Sequence, residues 1–143
     1  MLWITRERPK THRIACPWLI RRFIDPEAEI LYMPADQVLE VATAKGGHSF
    51  DATGAEYTHR EAKCSFAVLI DEFNLGSDPA LVRLAQIVHA ADVSSEVDAD
   101  PLGAGLQAIG EGGLAVEDDD YRLLERGSFV YEALYAWCQR RVG

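Results

Sequence analysis

The apolar pattern divides the chain in two. Residues 2–5 (Leu-Trp-Ile-Thr) and 30–33 (Ile-Leu-Tyr-Met) are short β-prone runs, the second stopped by Pro34, and each predicts a strand. Between them, Pro17 suits the first position of a helix, so 17–24 reads as helical, with Cys16 at its N-cap and Asp25-Pro26 ending it. Val38, Leu39 and Ala42 fall at helical spacing within 35–44, Gly46-Gly47 closes that helix, and 48–52 gives a third short strand. The stretch 53–63 is polar and without period, an exposed loop of the kind that often carries function. From Ser65 onward the period is helical. Phe66, Leu69, Ile70 and Phe73 form one stripe; Leu81, Leu84, Ala85 and Val88 form the next, after Asp78-Pro79. Leu102, Leu106 and Ile109 follow Asp100-Pro101. Leu123, Leu124, Gly127, Val130, Tyr131, Leu134 and Cys138 line a last, long helix that opens on Asp118–Asp120 and closes on Arg140 and Arg141. The expected fold is α+β, a single domain over 1–143: a small N-terminal β-sheet with a predominantly helical C-terminal two-thirds.

Composition adds a direction to this picture. At 143 residues and 48% hydrophobic the chain has ample material for one core. Its net charge of −9 argues against a general nucleic-acid surface, which needs a basic face. Six of the fourteen Lys and Arg lie in the first 22 residues, whereas nine acids and no base lie from Asp92 to Asp120. An anionic ligand would choose the first end. Three widely spaced cysteines without a CxxC pair indicate neither a disulfide framework nor a zinc ribbon. With no apolar run of signal-peptide or membrane-spanning length, the chain reads as cytoplasmic and reduced, with no membrane partner.

Two places carry candidate chemistry. Cys16, placed at a helix N-terminus, would gain thiolate character from the helix dipole. Arg13, Arg21 and Arg22 would add guanidinium groups to the free backbone N–H donors, a seat for a small oxyanion. The alternative is an amphipathic helix packing Trp18, Leu19, Ile20 and Phe23, its arginines in water. The second place starts from Asp92, which continues the apolar stripe of Leu81, Ala85 and Val88, where an unpaired carboxylate is costly. The stretch around the polar loop supplies Asp51, Glu56, His59 and Glu61, and one or two of these, Glu56 and His59 first, together with Asp92 would make a mixed N/O site for a divalent metal such as zinc or manganese. Alternatively, Arg21 or Arg22 pairs with Asp92 and joins both places in one pocket. Cys64 shares the helix-start position expected of Cys16, which leaves thiol chemistry and ordinary burial both open; Cys138 lies on a core stripe. GxGxxG, Walker A, HExxH and nucleophile-elbow motifs are absent.

Arg-Ile-Ala-Cys-Pro-Trp-Leu-Ile-Arg-Arg-Phe-Ile-Asp-Pro (13–26) resembles the signature of the ChrB-type C-terminal domain of chromate-resistance proteins. So do His59 with Cys64-Ser65-Phe66, Ile-Val-His-Ala-Ala-Asp (87–92) and Tyr-Glu-Ala-Leu-Tyr-Ala-Trp-Cys (131–138). Against that family's pattern, His12 stands where Asp is usual and His89 where Arg is usual. The resemblance implies a part in chromate resistance, with chromate, sulfate or phosphate as the small oxyanion partner, and sensing or detoxification as the role. DNA binding is not expected of this domain alone. Two other readings stay open from the residues: a metal-dependent enzyme, hydrolytic or redox, using His59 and Asp92, and an interaction module that docks a partner or a second copy.

Overall fold

The computed structural model describes residues 1–92 and 94–142. Strand β1 (Leu2–Arg6) leads through a loop into helix α1 (His12–Leu19), which runs on as a π-helical turn over Ile20–Ile24. Strand β2 (Glu29–Met33), a 3-10 turn, helix α2 (Val38–Lys45) and the short strand β3 (His48–Ser49) complete the first third. Helices α3 (Ser65–Glu72), α4 (Pro79–Asp92), α5 (Gly103–Val116) and α6 (Asp120–Val142) follow, with a 3-10 segment (Ser94–Ala99) before α5. This is the expected α+β organisation, with a mostly helical C-terminal part.

The three strands form one parallel sheet in the order β2-β1-β3, with Trp3 opposite Ile30 and His48, and Ile4 opposite Leu31 and Ser49. Side chains alternate across it with period two. Trp3, Ile30 and Tyr32 enter the main core with α1, α3, α4 and α6, whereas Ile4, Leu31 and Met33 pack with Val38 and Ala42 of α2 on the other face. The crossover from β1 to β2 through α1 and the crossover from β2 past β1 to β3 through α2 therefore run in opposite directions and cover opposite faces, the doubly wound arrangement. Its carboxyl edge, between the ends of β1 and β3, is the place where such sheets open a crevice. Each large apolar side chain buried in this core contributes about 1.5–3 kcal/mol.

Pro17 does not start α1. The helix begins five residues earlier, at His12, and carries Pro17 inside it. A proline there removes the N–H that would bond the Arg13 carbonyl, ordinarily a costly loss. Tyr32, from β2, replaces that donor: its hydroxyl donates to the Arg13 carbonyl oxygen. Burial of Ile14, Ala15, Cys16, Trp18 and Leu19 on all sides then outweighs the local signal. At α2 and α4 the caps fall as the sequence predicts, whereas α5 starts at Gly103, after Leu102, and not at Asp100-Pro101. Gly46 ends α2 with φ 66°, and Asp78 Oδ1 accepts from the backbone N–H of Ala80 (2.9 Å) and Leu81 (3.3 Å) at the start of α4.

The basic and acidic ends of the chain meet inside the molecule. The Arg8 guanidinium donates to the carbonyls of Leu114, Glu117 and Asp118 at 2.7–3.0 Å and to Asp120 Oδ1 at 2.9 Å. One side chain thus satisfies the open C-terminus of α5 and the start of α6.

Candidate functional site

At the carboxyl edge of the sheet, four elements converge. Arg6 ends β1, Asp51 lies two residues beyond β3, His12 and Arg13 open α1, and Asp92 closes α4. The loop after β3 is held by backbone bonds from Asp51 N to the Tyr57 carbonyl (2.8 Å) and from Tyr57 N to the Ser49 carbonyl (3.1 Å), which brings His59 and Cys64 back over this edge. Cys64, with extended backbone (φ −73°, ψ 166°), is the N-cap of α3.

Asp51 is the hub. It is buried, with φ 45°, in the left-handed region that Asp and Asn tolerate best. Its carboxylate accepts from Ser65 Oγ at 2.7 Å and stands 3.4 Å from Arg6 Nη2 and 3.6 Å from Arg13 Nε. Arg6 also donates through Nε to the Asp51 carbonyl (2.9 Å), and Arg13 Nη1 donates to the carbonyls of Glu7 (2.6 Å) and Arg6 (3.2 Å). Burial and the neighbouring Arg6 charge pull the Arg13 pKa down. Both guanidinium groups are fixed at the sheet edge, Arg13 largely covered and Arg6 40% exposed.

Beside them lies a second polar group. His12 is 1% exposed, and its Nδ1 is 3.1 Å from Asp92 Oδ2. That approach is a charge pairing and not an aligned hydrogen bond; neither ring nitrogen of His12 has an aligned protein acceptor. Burial works to lower its pKa, but the proximity of Asp92 and Cys64 prevails and pushes it up to about 10, so the ring is cationic at neutral pH. Cys64 shows the complementary shift. Burial raises its pKa, and His12, the α3 backbone at Ala67 and His89 together bring it below the usual thiol value. Asp92 is likewise lowered, because His12, His59 and Lys10 outweigh desolvation. His59, nearly half exposed, spans the two carboxylates, with Nε2 3.6 Å from Asp92 Oδ2 and Nδ1 3.8 Å from Asp51 Oδ1, its ring 5.6 Å from that of His12.

The residues singled out from sequence are not all here. Arg13, His59 and Asp92 are. Asp92 meets His12 and His59, not Arg21 or Arg22: Arg21 Nε donates to the Ala28 carbonyl (3.1 Å), and Arg22 pairs with Glu132 (3.3 Å) and lies over the rings of Phe23 and Tyr135. Arg21 and Arg22 instead line an open groove with Trp18, Tyr121, Glu125 and Glu132. Cys16 is not an N-cap. It sits inside α1, wholly buried, and burial together with the Asp51, Cys64 and Asp92 charges raises its pKa well above normal, so the thiolate character expected there belongs to Cys64. Glu56 Oε1 faces His48 Nδ1 at 2.6 Å, apart from the His59–Asp92 pair. Among the described residues, no group of three or more His, Cys, Asp and Glu side chains is arranged to hold a metal ion.

Sequence reasoning missed Arg6, His12 and Ser65. The signal for His12 was present: with α1 started at residue 12, His12, Ala15, Cys16 and Leu19 make one buried stripe, the same argument that exposed Asp92. Arg6 and Asp51 follow from standing just beyond two neighbouring parallel strands, once the strand order is known.

No solved structure matches the chain at a significant level. It is 37% identical over 133 residues to Protein ChrB of Cupriavidus metallidurans, an alignment that covers 93% of this chain and 39% of that protein. The chain thus spans about two-fifths of that relative's length. The family described as "ChrB, C-terminal domain" matches residues 3–138, from the first strand to the last helix. The fold and its polar edge are therefore those of a member of the ChrB C-terminal domain family, to which this chain belongs.

Proposed function

We propose that this domain serves chromate resistance by holding a small tetrahedral oxyanion at the carboxyl edge of its sheet, on Arg6, Arg13 and His59 above the buried His12. Family membership fits chromate resistance. The observation that carries the anion reading is the gathering of Arg6, Arg13 and a cationic His12 around two carboxylates, Asp51 and Asp92. Two guanidinium groups and two imidazoles are thus set against two carboxylates and the Cys64 thiol. The carboxylates hold the cations in place, and the exposed edges of Arg6 and His59 leave the site reachable from water. The Arg21–Arg22 groove is the poorer seat, because Glu125 and Glu132 line it.

The domain acts in this reading as the sensing or detoxifying part of a resistance system, and its three free cysteines suit a reducing cytoplasm. No helix of the described residues is long and apolar enough to cross a membrane. DNA binding is not assigned to it, given the net charge of −9. A bound divalent metal is the weaker reading, since only His59 and Asp92 of its three expected ligands meet.

Calorimetric titration with chromate and with sulfate tests this. Losing one charged donor costs about 1.5–3 kcal/mol, so Arg13→Ala should weaken either anion by roughly 10- to 100-fold. Arg21→Ala should leave the heats unchanged. Equal affinities for wild type and Arg13→Ala would remove the site.

A further inference from the structure

Charge and shape alone do not separate chromate from sulfate: both are tetrahedral dianions. A domain that serves chromate resistance in the presence of sulfate needs a chemical difference to read. The two ions differ toward thiols, with which chromate condenses readily near neutral pH and sulfate and phosphate do not. One sulfur stands beside the anion site. Cys64 is the N-cap of α3, an eight-residue helix, and Ser65, the next residue, is hydrogen-bonded to Asp51 (2.7 Å). His12 lies against it, wholly buried, both ring nitrogens without an aligned acceptor, with Asp92 at 3.1 Å behind the ring. The order Cys64–His12–Asp92 is that of a nucleophile, its proton carrier and the carboxylate that orients the carrier. Among the described residues neither Cys16 nor Cys138 has a histidine partner of this kind, and burial raises both of their pKa values.

We propose that Cys64 condenses with chromate held on Arg6, Arg13 and His59 to form a chromium–sulfur ester, His12 carrying the proton, and that this step distinguishes chromate from sulfate. The inference rests on the anion site proposed above. In the step, the Cys64 sulfur forms a bond to chromium while one Cr–O bond of hydrogen chromate breaks. His12, cationic beside the lowered Cys64 thiol, gives its own proton to the departing oxygen, which leaves as water. Cys–S⁻, HCrO4⁻ and the His12 proton thus become Cys–S–CrO3⁻, H2O and a neutral His12, with neither sulfur nor chromium changing oxidation state. His12 and Cys64 are both covered, and the exposed His59 ring lies 5.6 Å from that of His12.

The test mixes the full chain with chromate and follows the visible sulfur-to-chromium charge-transfer band and the intact mass, alongside sulfate calorimetry. Wild type, Cys16→Ser and Cys138→Ser should give the band and a chromate adduct. Cys64→Ser and Cys64→Ala should lose both while still binding sulfate, with circular dichroism melts verifying that each is folded. His12→Gln should slow band formation by about 100-fold. A band that persists in folded Cys64→Ser, or wild type that binds sulfate yet gives no band, overturns the proposal. Failure to bind sulfate with no band overturns both this proposal and the anion site. A Cys64-dependent band without sulfate binding upholds the thiol and overturns the anion site alone.

Discussion

Asp51→Asn changes one atom and bears on the whole site. The backbone accommodates it, because at φ 45° asparagine is as acceptable as aspartate. The amide oxygen can still accept from Ser65 Oγ. What is lost is the negative charge within 3.4 Å of Arg6 and 3.6 Å of Arg13, leaving two guanidinium groups facing each other across a neutral amide. Breaking a buried ion pair from one side costs about 3–5 kcal/mol. Arg6 is 40% exposed and Arg13 17%, so water screens part of that, and the expected loss is about 2–3 kcal/mol. Urea unfolding followed by tryptophan fluorescence, with the buried Trp3 as reporter, measures it. The same substitution removes a negative charge from the proposed anion site. At the effective dielectric of a protein surface this is worth at least about 1.4 kcal/mol, or roughly tenfold tighter sulfate binding. Added sulfate should therefore restore the variant's stability by more than it raises that of wild type. A loss below about 0.5 kcal/mol together with unchanged sulfate affinity would refute the reasoning, since it would mean that Asp51 does not organise the cations.

Stability should depend on pH through His12. Its folded pKa, raised from 6.5 to about 10, gives a stabilisation that is complete below pH 6.5 and lost as pH rises toward 10. Asp92 has the opposite sign: its lowered pKa stabilises above pH 3.8 and fades as pH falls through the folded value. Melting temperatures in a Cys64→Ser background, which removes the thiol's own titration, should drop on the alkaline side; His12→Gln should abolish that drop, and a flat wild-type profile would contradict it. Tyr32→Phe should cost about 1–2 kcal/mol by leaving the Arg13 carbonyl without a donor. Pro17→Ala should recover part of the loss by restoring the helical N–H, and strictly additive effects in the double-mutant cycle would disprove the replacement. Arg22→Ala breaks a half-exposed pair with Glu132, so urea unfolding should show a change under about 1 kcal/mol, with chromate affinity at the wild-type value.

The strands were legible because 2–5 and 30–33 are short β-prone runs, the second stopped by Pro34, and Gly46-Gly47 sets the third off from the helix before it. Their parallel order was not, since no local feature of Leu2–Arg6 says which neighbour it pairs with or which way the crossover turns. Without that order, Arg6 and Asp51 are merely charges near loops. Pro17 misdirected the start of α1, because a rule about local geometry gave way to a carbonyl satisfied from Tyr32, 19 residues away. That error concealed His12 and moved the expected thiolate to Cys16, whose surroundings suppress it. Asp92 was legible because α4 is regular enough for its stripe to be followed to the last residue, and its partner came instead from the far end of another helix.

The central claim is that an oxyanion sits between β1 and β3, not in the Arg21–Arg22 groove. Crystals of the wild-type domain soaked in selenate, a sulfate analogue with a usable anomalous signal, test it directly. The account predicts one anomalous peak in contact with Arg6, Arg13 and His59, absent from Arg13→Ala. A peak between Arg21 and Arg22, or one unaffected by Arg13→Ala, would contradict it.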